Sequence, residues 1–226
     1  MNIMRPKTVF IGEPSSITND SRTKIIQGKM VRDKIGPTIK RDVAESIASS
    51  IIYEIRSRDP TVRASIAGSI RRHVEDIHDI DILVSPHSEI IQRRIESLGS
   101  VLWSGTEKIS ILLDVEPNDV YSLFVVKTSL KIQVDIRFIK KESWGPAIQY
   151  FTGSREHNIS LRAIAKRKGL TLNEHGLFNS SGKRIDQNTE GSVYTSLGLR
   201  WLPPQYRNDY FGGFKHRHDF VDRVKE

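Results

Sequence analysis

Two stretches of this chain alternate apolar and polar residues at the spacing of a strand, and the polar positions include acids. In His78-Asp79-Ile80-Asp81-Ile82-Leu83-Val84, successive side chains of a strand point to opposite faces, so Asp79 and Asp81 share one face while Ile80 and Ile82 turn to a core. In Lys131-Ile132-Gln133-Val134-Asp135-Ile136-Arg137-Phe138, Val134, Ile136 and Phe138 form the buried face, leaving Gln133, Asp135 and Arg137 on the other. Neighbouring carboxylates repel one another unless a cation sits between them. Hard oxygen donors paired this way suit Mg²⁺, which is held by a few carboxylates and by substrate phosphates. If the second strand neighbours the first, three carboxylates meet on one patch, as two-metal phosphoryl transfer requires. Each feature taken alone has a plainer reading: Asp-x-Asp as a surface pair on an edge strand, Asp135 as one polar position of a half-exposed strand.

The rest of the chain reads as an α+β arrangement, helices covering a mixed sheet. Val43, Ile47, Ile51 and Ile55 recur every four residues between Ile39 and Arg56, as on an amphipathic helix, which Asp59-Pro60 stops. Strands are expected over 62–67, 79–84, 108–115, 120–126 and 131–139, with a helix over 89–98. Past Trp144 a basic helix is expected over 154–168, a hairpin over 170–178 and a short helix over 189–197. Residues 1–37 read as an extension with a hairpin near Thr23–Val31, and 208–226 as a loosely attached basic tail.

Composition bounds the partners. The 226 residues carry 35 Lys and Arg against 27 Asp and Glu, a net charge of +8. That surplus favours a polyanion, since each phosphate neutralised releases a counterion, although a basic surface can also serve solubility alone. There is no cysteine, which removes disulfides, thiolate metal sites and cysteine nucleophiles. No secretory core and no run of ~20 apolar residues is present, so a soluble intracellular protein without membrane contact is expected.

A third element gives the acids a context. Gly68-Ser69 follows a strand, as a phosphate-cradling turn should, and Arg71-Arg72 come next. Gly-Ser, nine residues, then Asp-hydrophobic-Asp resembles the signature of the nucleotidyltransferase superfamily of DNA polymerase beta. Gly68-Ser69-Ile70-Arg71-Arg72 with Glu75 resembles its family X branch. Tyr150-Phe151-Thr152-Gly153-Ser154-Arg155-Glu156-His157-Asn158 with Leu161-Arg162 is similar to that family's palm–thumb junction. Gly169 to Phe178 resembles the thumb hairpin, and Leu197-Gly198-Leu199 with Trp201-Leu202-Pro203-Pro204 the C-terminal end. The resemblance runs from Ile39 to Arg207. It implies a palm over 38–142, a mixed sheet with flanking helices, then a small α/β thumb over 143–207.

The resemblance also implies roles. Asp79, Asp81 and Asp135 would bind two Mg²⁺ ions, for which Mn²⁺ can substitute, and Asp135 would receive or orient the primer hydroxyl proton. Gly68, Ser69 and Arg72 would hold the phosphates of the incoming nucleotide. Tyr150, Phe151 and Gly153 would lie against its sugar, with Gly153–Ser154 joined by a cis peptide, and Asn158 would approach the nascent base pair. Arg137, Arg155, Arg162 and Lys166 would face DNA, and Arg137 could also pair with Asp135. The implied activity is addition of dNMP to a DNA 3′ hydroxyl in gapped DNA or a primer-template, by a monomer without lyase or proofreading regions. Two other readings stay open: a template-independent or non-DNA nucleotidyltransferase, and a catalytically dead nucleic-acid-binding scaffold. The sequence departs from the family at His73, where a small residue is usual, and at Arg155, where polymerase beta has an acid.

Overall fold

The computed structural model describes residues 23–26, 29–32, 38–115 and 130–208. The strand expected over 120–126, most of the extension and nearly all of the tail lie outside the described residues. Strands β1 (Thr23–Ile26) and β2 (Lys29–Arg32) form the expected antiparallel hairpin, Ile26 opposite Lys29.

The main body begins with β3 (Ile39–Lys40) and α1 (Arg41–Arg58). Helix α1 buries Ala44, Ala48, Ile51 and Ile55 on one face, places Arg56 and Arg58 in its last turn where cations favour the dipole, and ends at Asp59. There the Asp59 carboxylate accepts hydrogen bonds from the Thr61 backbone N–H and hydroxyl, closing the turn at Pro60. Next come β4 (Arg63–Ile66), the single turn α2 (Gly68–Arg71), β5 (Asp76–Ile77), which pairs with β3, and β6 (Asp79–Ser85). Then α3 (Glu89–Glu96), β7 (Ser100–Ser104), β8 (Lys108–Val115) and β9 (Leu130–Phe138) complete the sheet.

The five-stranded sheet has the order β4-β6-β9-β8-β7. Only β6 and β9 run parallel; the other pairs are antiparallel. One face carries Ile80, Ile82, Val84, Ile109, Ile111, Ile132, Val134 and Ile136, which join the inward residues of α1 and α3 in one core. That face is continuous because the register sets apolar against apolar, as in Ile80 opposite Val134 and Ile109 opposite Ile136. The opposite face carries the polar residues.

Helix α4 (Trp144–Thr152) was not expected from the sequence. It is buried nearly all round, so it has no amphipathic period to read, and Pro146 sits in its first turn, where a missing N–H costs little. Trp144, Ala147 and Ile148 pack with Ala67 and Leu83 into a seam that fastens it to the polar side of the sheet. Helix α5 (Arg155–Arg167) starts at Ser154, whose Oγ accepts from the His157 N–H. Strands β10 (Thr171–Asn173) and β11 (Gly176–Phe178) form the expected hairpin, and α6 (Glu190–Ser196) opens with a capping box from Thr189 and Ser192. Leu161, Ala165, Leu172, Leu177, Val193, Tyr194 and Leu197 make a second core among these elements. Gly145 lets α4 approach the Thr189 backbone at the start of α6; a Cβ there would collide with backbone atoms. Edge strand β7 was also unexpected, because all five of its residues are exposed and no buried face marks it. Among the described residues no helix is long and apolar enough to cross a membrane.

Candidate active site

The polar face of β6 and β9 brings the sequence-predicted acids to neighbouring positions. Asp81 stands opposite Asp135 and Asp79 opposite Gln133 in the parallel register. Ser110 stands opposite Asp135 on the other side, from β8. Both oxygens of Asp135 are engaged: Oδ1 accepts from the Ser110 hydroxyl at 2.7 Å and the Gln133 amide at 2.9 Å, and Oδ2 pairs with Lys108 Nζ at 2.6 Å. Burial pushes this carboxyl up, but hydrogen bonds from Lys108, Gln133 and Ser110 outweigh it and hold it below the usual aspartate range. The ion pair with Asp135 is therefore made by Lys108; the guanidinium of Arg137 lies instead 4.4 Å over the Phe151 ring.

The donors present suit a divalent cation, being hard oxygens at adjoining register positions on one sheet face. As the side chains stand, no three His, Asp or Glu residues among those described form a ready metal cluster. At Asp135 the positive charge is supplied by Lys108.

Beside β6 lies the Gly68-Ser69 turn. The Ala67 N–H donates to the Asp81 carbonyl at 2.8 Å, tying the turn to the acid strand. Gly68 has φ +57, and a Cβ on it would fall on the Asp81 carboxylate, so glycine is required twice over. The Ser69 Oγ is buried and has no hydrogen-bond partner among the described residues, a donor left over next to the Gly68 turn. His73 closes the turn with φ 59, the left-handed region, which accounts for the family's preference for a small residue at that position.

Comparison with known proteins finds relatives for most of the chain. Residues 147–208 match the family model described as DNA polymerase beta thumb. Over 192 residues the chain is 29% identical to the DNA polymerase/3'-5' exonuclease PolX of Bacillus subtilis (strain 168), covering 83% of this chain and 31% of that protein. Over 190 residues it is 26% identical to DNA polymerase lambda of Rattus norvegicus, covering 74% of this chain and 32% of that protein. In these matches the chain is similar to DNA polymerases of family X. It spans less than a third of the length of these two relatives.

The segment that resembles a family X palm–thumb junction is built around α4. Arg72 reaches across to it, donating to the Thr152 carbonyl at 2.5 Å and, through Nε, to Asn208 at 3.0 Å. The Gly153–Ser154 peptide is cis. Tyr150 and Phe151 stand edge to face at 5.2 Å, both partly exposed. Asn158, expected near the base pair, is buried: it accepts from Gln149 at 2.9 Å and donates to the Tyr150 carbonyl at 2.7 Å. Arg155, Arg162 and Lys166 are exposed on α5, Arg162 at 6.0 Å from the Tyr150 ring.

Sequence reasoning missed a buried ionic cluster beneath this junction. Arg71 forks onto Glu190 through two hydrogen bonds of 2.8 Å and also donates to Thr152. Arg207, with a fully buried side chain, donates to the same carboxylate at 2.7 Å, and Trp201 adds a bond of 3.0 Å. Burial opposes the Glu190 charge, but Arg71 and Arg207 hold its carboxyl down to about 2. His157, stacked on Tyr194 and hydrogen-bonded to its hydroxyl at 2.8 Å, is pushed down to about 3, chiefly by burial and then by the Arg207 charge. Nothing local in the sequence marks Glu190 as the partner of an arginine 119 positions away.

Proposed function

We propose that the chain adds deoxynucleotides to the 3′ hydroxyl of a DNA primer-template or gap, using residues 38–142 as palm and 143–207 as thumb and acting as a monomer. The observation that carries this reading is the parallel register that sets Asp81 beside Asp135. Asp79, Asp81 and Asp135 would hold two Mg²⁺ ions, which supply activation of the attacking hydroxyl and neutralisation of triphosphate charge. Asp135, fixed through Oδ1 by Ser110 and Gln133, orients the primer hydroxyl and is the carboxylate that accepts its proton. The Ser69 hydroxyl donates to the nucleotide phosphates beside the Gly68 turn, which lies against the Asp81 carboxylate. Arg72, at the mouth of this turn, offsets charge developing on the leaving pyrophosphate. Tyr150 and Phe151 bound the sugar, and Asn158 acts through Tyr150 by holding its carbonyl. Arg155, Arg162 and Lys166 follow the DNA.

Primer extension with each dNTP and rNTP singly, with and without a template strand, tests this. Extension that tracks the template base and prefers dNTP supports the proposal, and Asp135→Ala abolishes it. Extension indifferent to template points to a template-independent transferase. No extension by a folded protein that still binds DNA leaves only a scaffold.

A further inference from the structure

The two oxygens of Asp135 are held by partners of different kinds. Oδ1 is fixed by neutral donors on short, partly buried side chains, Ser110 and Gln133. Among the described residues, Oδ2 is held by the ammonium of Lys108, on a flexible four-carbon stem, at 2.6 Å, with 27% of its side chain exposed. Lys108 reaches it from β8, two residues before Ser110 and on the same face of the strand, the face that carries Asp81. A carboxylate opposite a second carboxylate on the neighbouring strand needs a positive charge nearby.

From this asymmetry we infer that Lys108 is a resident counter-cation for Asp135, displaced from Oδ2 when a divalent cation enters. The inference rests on the three-aspartate reading proposed above and adds a regulator of that site. Ser110 and Gln133 keep the carboxylate oriented through the exchange, so only one contact breaks. Because the ammonium and the metal compete for one oxygen, the pair lowers metal affinity and keeps stray divalent ions from the site. Linkage is reciprocal: whatever draws Lys108 away, such as a phosphate of a bound primer, raises affinity for the metal. Lys108 thus acts as a positioning residue for Asp135.

The test is Mn²⁺ binding to the full chain without DNA or nucleotide, followed by electron paramagnetic resonance of free Mn²⁺. Lys108→Met is expected to tighten binding by roughly fivefold or more, the size of coupling usual for side chains in contact. Lys108→Arg, which keeps the charge, stays near the wild type. Lys131→Met, which removes a cation of the same sheet that pairs with Asp114 rather than Asp135, measures the effect of net charge alone. In an Asp135→Asn background Lys108→Met has no further effect. Equal shifts from Lys108→Met and Lys131→Met, or an additive effect in that background, overturn the inference while leaving the metal site intact. If Asp135→Asn leaves Mn²⁺ binding unchanged, the three-aspartate reading itself fails, and the inference falls with it.

Discussion

Arg71 meets Glu190 through two parallel hydrogen bonds of 2.8 Å, joining the turn behind the acid strands to the first residue of α6. The same carboxylate is held by Arg207, whose side chain is fully buried, so one acid is the counter-charge shared by two arginines. Glu190→Gln leaves Arg207 buried without a counter-charge, which is expected to cost about 3–5 kcal/mol. Urea denaturation measures it. Glu89→Gln is the control: its pair with Arg93 is exposed, and its loss should change stability by at most about 1 kcal/mol.

The depressed His157 predicts a particular acid sensitivity. The folded protein binds this proton only near pH 3, whereas an unfolded histidine takes it near 6.5. Between these values the unfolded state holds one more proton, so stability rises with pH by about 1.4 kcal/mol per unit. Glu190, lowered to about 2 from 4.5, adds its own loss only below pH 4.5. Urea midpoints taken between these upper limits, from pH 4.5 to 6.5, should therefore slope in the wild type. His157→Gln should flatten them.

His73 adopts a backbone conformation that costs a residue with a Cβ roughly 1–2 kcal/mol. Glycine removes that strain but gains freedom in the unfolded chain. His73→Gly is thus expected to stabilise by about 0.5–1 kcal/mol, read as a higher Tm. A lower Tm would mean that the imidazole contributes contacts worth more than the strain.

Gly68→Ala should separate folding from chemistry. The methyl group would displace the Asp81 carboxylate, and a displacement on the order of 1 Å at a reacting centre costs about 100-fold in rate. Primer extension is expected to fall by that factor or more, while circular dichroism still shows a folded protein.

DNA affinity should fall steeply between about 50 and 200 mM salt, because exposed cations of α5 release counterions from phosphates. Arg155→Ala and Lys166→Ala should each reduce the slope of log affinity against log salt by about one, measured by fluorescence anisotropy. An unchanged slope would mean that these side chains serve solubility only.

Alternation along a strand is a local property, so the sequence by itself determined that Asp79 and Asp81 share a face and that Asp135 shares one with Arg137. The ordered glycine, aspartate and Tyr150–Asn158 motifs also carried the family resemblance, and four-residue periodicity carried α1. Pairing and register depend on which apolar faces pack against each other, and only the tertiary structure decided them. It set Asp81 opposite Asp135, brought Lys108 rather than Arg137 to that carboxylate, and turned Asn158 inward to Tyr150. Helix α4 escaped a periodic reading because it is buried nearly all round. The Arg71–Glu190 pair escaped because a buried charge takes whichever partner the folded chain delivers, and no spacing in the sequence records that choice.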